Sequence, residues 1–482
     1  MDDIRPVGYI IGLAVMTLGL TMILPLAVDM AEGREHWPVF VESALLSTLV
    51  GGLVALSCHN GVREGLTIRQ AFMLTTGVWA VLPFFGALPF MLGATQASFT
   101  DAYFEAMSGV TTTGTTVFRG LDDLPRGLLL WRGILQWLGG LGIVIVALVF
   151  LPIMRVGGMQ FFTSEGFDTF GKVLPRAVDI SKGVLNVYLL LTIGCILSYI
   201  ALGLSAFDAT AHALTTISTG GFSTRDASFG TFGALAQYAA IVFMILASMP
   251  FVRLMQGVNG DFRPFLRDPQ ARAYALWIFY AFALVVLYDL VANGRMTEAS
   301  ARERLFNLAS IFSGTGYGDG DVMAWGAGPF MVLILAGAIG GCTGSTGCSI
   351  KVFRYQILFR AISLQLKRIF NPHGVFVMRY GGRRVDEDVL QSVMTLLTVF
   401  ILLFGLFTVG LELTGLDFTE SVTGARTALY NIGPAFGPGV GPTGAIDGFP
   451  QAAKWLMILA MLVGRLEVVS VLVLLLPAFW RN

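Results

Sequence analysis

The eight residues Ser313–Gly320, SGTGYGDG, carry the densest set of reactive possibilities in this chain. Four glycines forbid an ordinary helix interior, and the stretch runs into two carboxylates, Asp319 and Asp321. Three chemistries use such residues. Backbone N–H groups of a glycine loop can cradle phosphates, a Gly-x-Gly-Asp can supply half of an aspartyl pair, and bare carbonyls can coordinate a cation. The phosphate reading lacks both the G-x-G-x-x-G spacing and the P-loop lysine. A formal G-x-G-x-x-G at Gly439–Gly444 contains Pro442 and follows no strand, so it reads as chance. The protease reading is sharper. Gly316–Asp319 is a literal Gly-x-Gly-Asp, and Tyr288-Asp289 offers a second carboxylate; two carboxylates sharing a proton can activate water. Yet Asp289 and Asp319 both fall at the outer ends of their segments, where such a pair should face across two membrane spans.

Repetition favours the cation. Four stretches, DAYFEAMSGVTTTGTT, DATAHALTTISTGGFS, RLFNLASIFSGTGYGDG and SVTGARTALYNIGPAFG, each pair a short semi-apolar segment with a glycine tail. Aligned on Gly114, Gly220, Gly316 and Gly433, they recur at intervals of 106, 96 and 117 residues. Recurrence in fixed order signals a duplicated unit. A half-helix can stop at membrane depth only where its irregular tail lines protein or a cavity. Each half-helix would aim the negative end of its dipole inward, with Asp101, Asp208, Glu303 and Glu420 near the favourable N-termini. Glycine lets the tail backbone adopt positive φ and turn carbonyls inward. Thr112, Thr113, Ser218, Thr219 and Thr315 add hydroxyl oxygens. Hard oxygens without a carboxylate cage suit a monovalent cation better than calcium or magnesium.

The elements that must position these tails are membrane helices. Of 482 residues, 55% are hydrophobic and only 13% charged, against about 25% charged in soluble domains. Ten apolar runs are long enough to span: Val7–Val28, Val39–Ser57, Ala71–Leu92, Leu128–Met154 and Val184–Leu204, then Leu235–Met255, Tyr274–Val291, Pro329–Phe353, Val389–Leu413 and Trp455–Pro477. The first run spans rather than forming a cleavable signal. An even number puts both termini on one side. Lys and Arg favour that side about two to one, which predicts cytoplasmic termini. The expected fold is all-α and polytopic. Two leading spans occupy 1–62, and repeats fill 63–182, 183–272, 273–384 and 385–482. Zero net charge gives no case for nucleic acid. Cys58, Cys195, Cys342 and Cys348 read as small buried residues, and neither they nor the four histidines form a metal-site spacing.

Two features suggest control of a path. The run GPFMVLILAGAIGGCTGSTGCSIKVFR holds five glycines between Gly337 and Gly347, with Gly340, Gly341, Thr343, Gly344, Ser345, Thr346 and Gly347 at its centre. Each interior glycine costs about 1 kcal/mol against alanine, which predicts a flexible loop beneath the tails. Close helix packing through small residues is the alternative. Arg465 sits mid-way through its apolar run, where an arginine costs roughly 2.5–3.5 kcal/mol and marks function by default. It either faces the path or pairs with Glu412 or Glu467. Broken helices and a mid-membrane charge also suit a carrier of organic solutes, although four glycine/threonine tails offer no side-chain pocket.

FEAMSGVTTTGTT, QWLGGLGIVIVALVFLP, STGGFST, SGTGYG, NIGP and LVGRLEVVSVLVLLLP together resemble the Trk/Ktr/HKT superfamily of potassium transport proteins, in its bacterial TrkH type, over nearly the whole chain. The resemblance implies a non-enzymatic, pseudo-fourfold, potassium-channel-like pore in the bacterial inner membrane. Its K+ filter would be Thr112, Thr113, Gly114, Ser218, Thr219, Gly220, Gly314, Thr315, Gly316, Asn431, Ile432 and Gly433. It also implies a homodimer and a cytosolic ring of RCK subunits, which bind the gating nucleotide (ATP/ADP or NAD) that this chain does not. The basic stretch FRAISLQLKRIFNPHGVFVMRYGGRRVDEDV is the docking surface in that scheme, or simply positive-inside topology. Arg465 is expected to hold the closed gate loop. Glycine at the first filter position favours potassium, since serine there accompanies sodium preference in plant relatives. The fourth tail departs from Thr-x-Gly, with Ile432 and Pro434 around Gly433. Channel-like and proton- or sodium-coupled transport both remain open.

Overall fold

A computed structural model describes residues 3–61, 66–162, 173–440 and 444–481. The 62/63 boundary, Arg63, Lys172 and residues 441–443 of the formal G-x-G-x-x-G lie outside the described residues. Seven helices among them are long and apolar enough to cross a membrane: Arg5–Ala31, Trp37–Cys58, Ile68–Leu92, Arg126–Met154, Ile180–Ala201, Pro269–Ala292 and Glu387–Glu412. Their outer faces expose leucines such as Leu49, Leu197 and Leu402, the surface a lipid solvent requires. The first two pack through small residues: a Cβ on Gly12 would strike the Ala55 backbone, and one on Gly51 the Met16 backbone.

The other three expected spans are interrupted. Leu235–Met255 divides into Ala234–Ala247 and Phe251–Val258, bent by 103°; Pro250 stands between them, with no N–H to continue a ladder. Pro329–Phe353 divides into Ala327–Ile339 and the start of Val352–Phe370, with glycine-rich chain between. Trp455–Pro477 divides into Gln451–Arg465 and Val469–Leu474, across positive φ at Glu467 and Val468. That break turns two nearby ionic side chains toward different partners. The basic stretch continues Val352–Phe370 into a two-residue hairpin pairing Arg379 with Arg384.

One order of elements occurs four times: a long helix, a short helix, an irregular tail, then another helix. The short helices are Phe99–Val110, Ala206–Ile217, Glu298–Ser313 and Phe418–Tyr430. Of the cations behind that two-to-one ratio, Arg132, Arg426 and Lys454 on the outer side and Lys351 and Arg354 on the inner side are buried, so these five do not report loop charge.

Candidate functional site

Each short helix is started and stopped by side chains the sequence supplies. Ser98, Ser205, Thr297 and Asp417 cap the N-termini, accepting from Asp101, Asp208, Ser300 and Thr419 N–H groups. Asp101, Asp208 and Glu420 sit in first turns as expected. In the third helix the first-turn acid is Glu298; Glu303 lies deeper, bound to Arg304 and the Trp325 indole. The extra turn at that helix's start displaces it.

All four helices end in the same two-bond termination. The N–H groups of Thr112, Thr219, Gly314 and Asn431 reach back three residues. Those of Thr113, Gly220, Thr315 and Ile432 reach back five, at 2.8, 2.8, 2.9 and 3.0 Å. This is the Schellman pattern, which needs a left-handed residue at its first position. Thr112, Thr219, Gly314 and Asn431 supply it with φ of 52, 52, 86 and 54°. Two of these are β-branched threonines, for which positive φ is an outlier, and such local strain gathers at functional sites.

The termination fixes the register of the tails, and it moves one of them. The residue after each five-back bond is Gly114, Gly221, Gly316 and Gly433. In the second unit the matched triplet is therefore Thr219, Gly220 and Gly221, whereas the sequence alignment placed it at Ser218, Thr219 and Gly220. Ser218 is still the last turn of the helix, with φ of −75°.

The four glycines close a ring. A Cβ on Gly114 would strike the Gly220 carbonyl, and one on Gly221 the Thr315 carbonyl. One on Gly316 would strike the Gly433 carbonyl, and one on Gly433 would meet Thr113 and Gly114. Each tail thus abuts the next in chain order, and the fourth abuts the first. The Gly433 N–H donates to the Thr113 carbonyl at 2.6 Å, and Asn431 Nδ2 donates to Thr113 Oγ1 at 3.0 Å. Gln136 Nε2 donates to the Gly220 carbonyl at 2.6 Å. A carbonyl so engaged keeps a second lone pair. Among the described residues no three His, Cys, Asp or Glu side chains gather as metal ligands. The oxygens on offer are carbonyls and hydroxyls.

A buried loop, Gly340–Lys351, crosses beneath this ring, with φ of 74 and 79° at its two ends. It is pinned to the bent second unit: Cys342 N–H to Ser248 O at 2.9 Å, and Phe251 N–H to Gly344 O at 3.0 Å. Thr346 Oγ1 reaches the last carbonyl of a short helix, Ile217 O, at 3.1 Å. A Cβ on Gly347 would come to 3.0 Å from Ser313 O. Thr343 N–H binds Gln270 and Ser345 Oγ binds Cys342 O, while Thr343 Oγ1 is buried without a partner among the described residues.

Cys348, which the sequence reads as a small buried residue, is buried and also meets the first tail. Its Sγ lies 3.6 Å from Thr112 Oγ1 and accepts from Arg465 Nη1. Arg465 is buried, and its Nε and Nη2 have no partner among the described residues. It pairs with neither acid proposed for it. Glu412 is exposed at the end of its helix, and Glu467 pairs with buried Arg354. Around Cys348, Asn431, Arg465 and Glu467 the space amounts to about 20 Å³, room for about one water.

The aspartyl pair does not form a proton-sharing site. Asp289 is bound to Arg304 at 3.0 Å, while the Asp319 backbone is held by the Asn307 amide. Burial and neighbouring Glu303 push the Asp319 carboxyl above its ordinary range.

Ring, strained helix ends and apolar spans define a membrane transport protein. Residues 36–481 match the family model described as TrkH, cation transport protein, and the chain belongs to that family, a family of transporters rather than enzymes. The chain is similar to the Trk system potassium uptake protein TrkI of Halomonas elongata, 37% identical over 99% of this chain and 97% of the relative. It is also similar to the Trk system potassium uptake protein TrkH of Escherichia coli K12, 34% identical over 99% of each. The crystal structure of the potassium transporter TrkH from Vibrio parahaemolyticus superposes with a TM-score of 0.91 at 30% identity, covering both chains fully.

Proposed function

We propose that this chain takes up potassium across a bacterial inner membrane through the axis of the four tails, with the Gly340–Lys351 loop as its gate. The observation that carries the reading is the ring itself: four helix ends with one left-handed termination deliver four glycine tails into mutual contact. The short helices aim their negative ends at that ring, which favours a cation. The ligands in this scheme are oxygens of Thr112, Thr113 and Gly114, of Thr219, Gly220 and Gly221, of Gly314, Thr315 and Gly316, and of Asn431, Ile432 and Gly433. Potassium is the cargo named for the relatives, and glycine at all four ring positions suits it.

Ten crossings, counting the three interrupted spans, put both termini on one side, and the Lys/Arg bias makes that side the cytoplasm. The loop and Arg465 then block the inner side of the filter. A homodimer gated by cytosolic RCK subunits, which bind the nucleotide and dock on the basic stretch after Val352, completes the scheme. Gly316→Ser tests it: the residue has φ of 82° and its Cβ would meet the Gly433 carbonyl. The expected result is a lower K+/Na+ flux ratio in folded protein, and an unchanged ratio would overturn the filter assignment.

A further inference from the structure

Behind each tail the chain is tied back to its own short helix, and the ties are chemically unequal. Eight residues before the five-back position stand Glu105, His212, Asn307 and Gly424. His212 Nε2 meets Ser223 Oγ at 2.9 Å, and its Nδ1 meets the Asp208 carbonyl. Asn307 clamps both backbone groups of Asp319. In the fourth unit, where glycine leaves the place empty, Thr423 Oγ1 instead bonds both backbone groups of Phe436. The three ties at this position carry no carboxylate. His212 Nδ1 donates to the Asp208 carbonyl, which leaves Nε2 to accept from Ser223 Oγ. The carboxylates that do reach the second and fourth tails, Asp208 to Thr224 Oγ1 and Glu420 to Gly439 N–H, lie in the first turns of their helices.

The first unit differs. Glu105 accepts from Thr116 Oγ1 at 2.9 Å, from Val117 N–H at 2.9 Å and from Arg132 Nε at 2.7 Å. The Arg132 guanidinium donates onward to Ser223 O at 2.8 Å and lies 4.1 Å from the Phe222 ring centroid. One turn along the same helix, Gln136 donates to Gly220 O at 2.6 Å and accepts from Phe222 N–H at 3.1 Å. All three side chains are buried. The first unit therefore holds its own tail and also grips the second tail on both flanks of Gly221.

We infer that Glu105, Arg132 and Gln136 are positioning residues that set the ion preference of the ring by fixing the second tail against the first. This rests on the filter reading proposed above. Charge-assisted bonds are the stiffest available to a buried network. The contact they set is the one where Gly114 faces the Gly220 carbonyl. A ring whose neighbouring tails can part by a few tenths of an ångström admits a different balance of ions. Nothing in residue spacing announces the rack, since its acid and its two partners lie on separate helices.

The test is the K+/Na+ uptake ratio of the full chain in proteoliposomes, read beside thermal stability. Glu105→Gln keeps the shape and removes the charge facing Arg132; Gln136→Leu removes two hydrogen bonds without touching a charge. Each should lower the ratio about tenfold, the worth of one strong hydrogen bond, while cation flux persists. Asp289→Asn, which breaks the remote pair with Arg304, serves as the structural control and should lower stability with the ratio unchanged. If Glu105→Gln does not fold, Gln136→Leu carries the test alone. Folded variants with an unaltered ratio, while Gly316→Ser shifts it, would overturn the rack and spare the filter. An unaltered ratio in Gly316→Ser as well would overturn the filter and the rack with it.

Discussion

Replacing Arg465 with alanine should raise potassium flux through the purified chain with no cytosolic partner present. Arg465 Nη1 contacts Cys348 Sγ, which lies 3.6 Å from Thr112 Oγ1. The charge therefore stands within about 6 Å of the first tail, where it repels a cation by about 3 kcal/mol at an effective dielectric of about 20. That is on the order of a hundredfold in occupancy. Loss of the Cys348 contact also frees the loop, which adds to the effect. Rubidium uptake into proteoliposomes, normalised to incorporated protein, reads it directly. Arg465→Gln separates the two contributions, because it keeps a donor for Cys348 and drops the charge. Arg465→Lys retains the charge and should stay near the native flux. Unchanged or lower flux in folded Arg465→Ala protein would refute the reasoning.

The register of the second tail predicts that Gly221→Ala is more damaging than Gly220→Ala. The first forces a side chain onto φ of 79° against the Thr315 backbone, while the second meets only the Gln136 side chain; flux assays showing the reverse order would restore the sequence alignment. Arg354→Met leaves Glu467 buried and unpaired, which costs about 3–5 kcal/mol, and adding Glu467→Leu should recover most of it; thermal unfolding of the single and double variants decides. Asp319→Asn should raise Tm at pH 7 and leave it unchanged well below about pH 3.9, the unfolded carboxyl value. Folding raises this pKa, so the destabilisation is absent below the unfolded value and complete above the folded one. A shift of equal size at both pH values would contradict that linkage.

The four short helices were legible because each unit repeats the same local instructions. A semi-apolar segment runs into a glycine tail, and the pair recurs at intervals of 106, 96 and 117 residues. The second register was not legible, since Gly220 and Gly221 are adjacent glycines and only the five-back hydrogen bond distinguishes them. Glycine density reveals the loop beneath the ring, but a cysteine among glycines and serines reads as filler, and no spacing marks Cys348 as the contact. Arg465 stood out as a lone charge in an apolar run. Its partner did not, because an unbroken apolar run predicts one helix through Glu467, and the break at Glu467 and Val468 turns that acid toward Arg354. The Glu105–Arg132 pair joins two helices across the whole first tail, and no periodicity within either one encodes such a contact.

Potassium and sodium flux through liposomes containing only this purified chain tests the central claim most directly. The account predicts passive flux that favours potassium, runs down its gradient without any coupled ion, and rises when Arg465 is replaced by alanine. Flux that appears only with an opposing proton or sodium gradient, or none at all even with the Gly340–Lys351 loop shortened, would contradict it.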